Sequence, residues 1–168
     1  DPTAKIISPG ILNWEFTCIG CSGPTMCDNV DGSGYRCGKL WVQEFISEYE
    51  SRFGEKPPVD VWAIHTYPID WDNTPNNSPL ELASYKGASV KHDAIVIDQL
   101  ESMRQYLNSN GYSETPMWIG EIAIHVGFDD WTYTNGSYSP VGVYHWENLS
   151  DYLSTILDWL EENGADKK

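Results

Sequence analysis

Three times along this 168-residue chain a short apolar run gives way, after a loop, to a stretch whose apolar residues recur at helical spacing. The runs are Lys5–Gly10, Val59–Tyr67 (entered through Pro57-Pro58) and 116–122, each bounded by Pro or Gly as strands commonly are. In Leu40–Phe53 the apolar positions are 41, 42, 45, 46, 49 and 53, and Gly54 ends the pattern. A second helix is expected over about 92–109, with Ala94, Ile95, Ile97, Leu100, Met103, Tyr106 and Leu107 inward and Asn110-Gly111 as its cap. A third is expected over about 147–162, with Leu149, Tyr152, Leu153, Ile156, Leu157, Trp159 and Leu160 apolar, stopping at Asn163-Gly164. Strand-loop-helix in this order means parallel strands joined by right-handed crossovers, because parallel neighbours cannot be joined by a tight turn. The expected fold is α/β, in a single domain over 1–168 that is long enough to bury a core.

The loops after the strands are long and those before them short, and βα proteins build their sites on the former. Stretch 68–91 is polar and rich in Pro and Asn; stretch 123–145 is aromatic, with Trp131, Tyr133 and Tyr138. Between them, the run 116–122 reads as a buried parallel strand with Glu121 at its C-terminal tip. Burial raises a carboxyl pKa and hydrogen bonds lower it, so this position suits a nucleophile or an acid/base. The plainer alternative is a surface glutamate just past a strand end.

Net charge is -15, and no cluster of Lys and Arg is present, which argues against nucleic acid and anionic membrane as partners. No apolar stretch approaches the roughly 20 residues needed to span a bilayer. The 8 Trp and 10 Tyr suit carbohydrate binding, since aromatic faces stack on the C–H faces of pyranose rings, although core packing claims such residues too. No cofactor is expected. The opening Asp1-Pro2-Thr3 has neither an initiator Met nor a signal peptide, and the chain reads as a piece of a longer polypeptide.

All four cysteines fall in one window, Cys18, Cys21, Cys27 and Cys37. Only the first pair has zinc-knuckle spacing, and the intervening loop is rich in Gly and Asp. Disulfides stapling a surface loop are favoured over a four-thiolate zinc site, which would imply an oxidising, extracellular setting.

Taken together, the strand tips carry a family resemblance. Pro116-Met117-Trp118-Ile119-Gly120-Glu121 resembles the seventh strand of the clan of retaining glycoside hydrolases with (β/α)8 barrels, and Val61–Pro68 resembles the sixth strand, with its His-x-Tyr-like end. Asp1–Gly10 resembles the exit from helix four followed by strand five. The resemblance implies three consecutive parallel βα units of a partial TIM-type barrel, since a full barrel needs about 250 residues. It implies Glu121 as the nucleophile, Tyr67 as its hydrogen-bond partner and His65 lining the sugar subsite. Trp14, Trp71 and Trp131, in the three long loops, are candidate stacking walls for a carbohydrate substrate; His125 and Asp129 are weaker candidates.

The family's acid/base, a Glu at the end of strand four, has no counterpart here, and Glu15 is a poor substitute. Hydrolysis with retention needs two carboxyl groups about 5–5.5 Å apart, so the chain alone is expected to be nearly inactive. Open outer strands of a partial barrel invite self-association. Two other readings stay open: a carbohydrate-binding barrel module without catalysis, and a structural metal-binding module organised by the four cysteines.

Overall fold

The computed structural model describes residues 3–15, 37–67, 81–85, 88–122, 131–134, 137–140 and 146–167. Its centre is an open sheet of three parallel strands in the order β1 (Ile11–Leu12), β2 (Trp62–Thr66) and β5 (Met117–Ile122). Among the described residues three helices accompany it, α1 (Gly38–Phe53), α2 (His92–Ser109) and α3 (Trp146–Lys167). The chain is therefore α/β with parallel strands, as the alternation of periods implies. One core cluster joins the sheet to all three helices. It contains Ile11, Trp14, Trp62 and Ile64 from the sheet side, Val42 and Ile46 from α1, Val96, Leu100, Met103 and Leu107 from α2, and Tyr152 and Ile156 from α3.

The helix boundaries follow local chemistry. Cys37 caps α1, its sulfur accepting from the Leu40 N–H at 3.4 Å, and Gly54 closes it in the left-handed conformation at φ 73°. Cys18, Cys21 and Cys27 lie outside the described residues. Past α2, Gly111 takes φ 84° and the buried Arg104 gathers the turn, donating to the carbonyls of Thr115 at 2.8 Å and Tyr112 at 2.5 Å and to Asn108 Oδ1 at 2.9 Å. This clamp sets where the chain re-enters the sheet as β5.

Several expectations are corrected. The first strand is not Lys5–Gly10. Ile7 makes one bridge to Val61, the ladder then lapses, and pairing resumes at Ile11–Leu12, leaving Ile6 and Ile7 exposed. Ser8 fills the gap, its hydroxyl oxygen accepting from the Ala63 N–H at 2.9 Å. The strand holding Glu121 is not buried: β5 is half exposed, and Trp118 is 55% accessible. Stretch 68–91 is not wholly loop, because β3 (Glu81–Tyr85) and β4 (Ala88–Lys91) pair antiparallel within it. In 123–145, β6 (Trp131–Thr134) and β7 (Ser137–Pro140) do the same. Helix α3 runs through Asn163-Gly164, where the Asn163 side chain donates to the Trp159 carbonyl at 2.9 Å. On α2 the inward face includes Val96 and Gln99, while Ala94 is exposed.

Candidate functional site

Register decides which residues meet at the C-terminal ends of β2 and β5. Ile64 pairs with Ile119, and His65 then pairs with Glu121, so Gly120 is an extra residue, a β-bulge. Strict alternation would set Glu121 on the same face as Met117 and Ile119, which pack against the core. The bulge moves Glu121 to the opposite face, beside His65.

There the Tyr67 hydroxyl donates to Glu121 Oε2, and His65 Nδ1 lies 3.5 Å from the same oxygen. Both polar contacts address Oε2. The Glu121 side chain is 52% accessible. Donation to Glu121, followed by burial and the carboxylate's charge, pushes the Tyr67 phenol up to about 12, so it keeps its proton throughout the neutral range. The arrangement supplies a carboxylate held through one of its oxygens, on a side chain that is half exposed.

The His65 ring owes its place to missing side chains. A Cβ on Gly10 would sit 2.1 Å from His65 Nε2, and one on Gly120 would sit 2.8 Å from the same atom. Those glycines, together with Asn13, are site components that sequence reasoning missed. The available signal was a Gly just before β1 and another within β5, the two strands that flank β2.

Two further candidates are resolved by position. Trp14 is fully buried, 5.5 Å from the Tyr106 ring, with its indole N–H donating to Ser102 Oγ at 3.1 Å. It fills the core and offers no face to a sugar. Glu15 is also buried, paired with Lys39 Nζ and accepting from Ser102 Oγ at 3.2 Å, so it ties the β1 exit to α1 and α2. Trp131 opens β6, of which the backbone alone is described. Trp71, His125 and Asp129 lie outside the described residues. No group of three or more His, Cys, Asp or Glu suited to a metal occurs among the described residues. Likewise, no helix of those residues is long and apolar enough to cross a membrane.

A groove of about 430 Å³ lies elsewhere, on the outer side of α1, lined by Trp41, Phe45, Tyr49 and Phe53 with Glu44, Glu48 and Arg52. No protein-family model, curated protein or solved structure matches the chain.

Proposed function

We propose that this chain carries the nucleophile half of a retaining glycoside hydrolase-like barrel, with Glu121 as nucleophile. The observation that supports this reading is the convergence of Tyr67 and His65 on one oxygen of Glu121 at the ends of adjacent parallel strands. In that role Oε1 attacks the anomeric carbon as the glycosidic C–O bond breaks, the departing oxygen takes its proton from a second, acid/base carboxyl, and the phenol of Tyr67 holds the nucleophile's orientation through Oε2. His65 lines the sugar subsite beside it. The acid/base carboxyl has to come from outside the described residues, because within them Glu15 is engaged by Lys39.

The accompanying proposal is an extracellular setting with disulfides in the cysteine window. It is supported by the cysteine spacing, in which only Cys18 and Cys21 are separated as a zinc knuckle requires.

The test assays this chain, and any longer polypeptide that contains it, on a panel of aryl glycosides. Glu121→Gln is expected to lower turnover on the order of 10³-fold or more and to abolish any burst of released aglycone. Undiminished turnover would eliminate the nucleophile role. The half-exposed Glu121 also suits a carbohydrate-binding barrel without catalysis; polysaccharide retention with no turnover by the unaltered protein would select that reading.

A further inference from the structure

We infer that Asn13 is the positioning residue of this site: its side-chain oxygen replaces a main-chain carbonyl at the end of the β1–β2 ladder and fixes the backbone from which Tyr67 reaches Glu121. The catalytic consequence rests on the function proposed above; the positioning itself rests on geometry alone.

In a regular parallel ladder, a residue gives its N–H to one carbonyl of the neighbouring strand and takes an N–H from two residues further on with its own carbonyl. Asn13 keeps the first half of this pattern, donating its N–H to the His65 carbonyl at 2.8 Å. The second half changes. The Tyr67 N–H donates at 2.6 Å to Asn13 Oδ1, not to the Asn13 main chain. The cause is backbone conformation: Asn13 has φ 44° and Trp14 φ 22°, so the chain turns sharply out of the sheet. That turn carries Trp14 into the core and Glu15 onto Lys39.

Asparagine meets both demands at once. It is one of the few residues besides glycine that adopt the left-handed conformation readily, and its amide oxygen accepts a hydrogen bond. Asn13 is fully buried, so its bond to Tyr67 is shielded from competing water. Through two adjacent bonds it fixes His65 by its carbonyl and Tyr67 by its N–H, and these are the two residues that face Glu121.

The experiment places 3-fluorotyrosine at position 67 and follows its ionisation by 19F NMR in four proteins: unaltered, Asn13→Gly, Asn13→Asp and Glu121→Gln. Asn13→Gly permits the left-handed turn but lacks the acceptor. Asn13→Asp keeps an acceptor of the same reach. Glu121→Gln sets the value for a phenol without its carboxylate partner. The expected result is a Tyr67 midpoint lower by about one pH unit or more in Asn13→Gly, towards that of Glu121→Gln, with Asn13→Asp close to the unaltered protein. An unchanged midpoint in folded Asn13→Gly overturns the inference, and so does a fall in Asn13→Asp as large as in Asn13→Gly. Amide exchange in the unaltered protein is a second measurement, independent of whether the variants fold. The Tyr67 N–H should be protected like those of β2, and exchange at the rate of an exposed loop overturns the inference. Turnover surviving Glu121→Gln would remove the hydrolase reading and leave these results standing.

Discussion

At the scale of single residues, the site is shaped as much by missing side chains as by those present. His65 reaches Glu121 because Gly10 and Gly120 leave room for its ring. Gly10→Ala puts a methyl group inside that ring's volume, so the imidazole has to move or the strands separate. The expected outcome is a changed His65 ring environment by NMR and a loss of about 1–3 kcal/mol in urea unfolding, as for other overpacked sites. Gly164→Ala is the control. It meets nothing within 4 Å inside helix α3 and should stabilise by roughly 0.5–1 kcal/mol through helix propensity. Equal effects from the two substitutions would show that close approach is not what fixes residue 10.

At the scale of elements, the apolar stripe of α1 divides into two rows. Val42 and Ile46 enter the core, whereas Trp41, Phe45, Tyr49 and Phe53 form a row of aromatics four residues apart, of which Phe45 also packs against the core and meets the Trp62 ring edge-on at 6.4 Å. Trp41 and Phe45 stack at 5.3 Å between centroids, and Tyr49 and Phe53 lie 4.5 Å apart. Ile46→Ala should cost about 2–4 kcal/mol in urea unfolding. Phe53→Ser, at a position 63% accessible, should cost less than about 1 kcal/mol. The helices were legible in the sequence because periodicity and caps report on the chain's own geometry: α2 spans His92–Ser109 where apolar spacing and Asn110-Gly111 place it. The face of β5 was not legible. Alternation along 116–122 predicts the wrong side for Glu121, and a bulge opposite Ile64 and His65 is a property of two strands together. Trp14 was misread for a similar reason: its place in the core depends on the left-handed turn at Asn13, which loop composition does not announce.

At the scale of the whole molecule, several tyrosines couple stability to high pH. Tyr67 is pushed up to about 12 chiefly by its bond to Glu121, and Tyr112 to about 12 chiefly by burial, from an ordinary value of 10.0. Burial raises Tyr152 further. A phenol whose folded pKa exceeds its unfolded value holds its proton more tightly in the fold. Its contribution is therefore complete below pH 10 and is lost as pH rises through 12. Thermal midpoints by circular dichroism should fall steeply from about pH 10 upward, and Tyr112→Phe should flatten that fall; an unaltered slope in the variant would count against the coupling. The same long-range pairings have a kinetic meaning. Asn13 to Tyr67 and Tyr67 to Glu121 each join residues 54 apart in sequence. Each bond closes a large loop of its own, and no short peptide contains even one of them. The helices can begin from local contacts alone, whereas the carboxylate's surroundings come into being only when all three distant segments have docked.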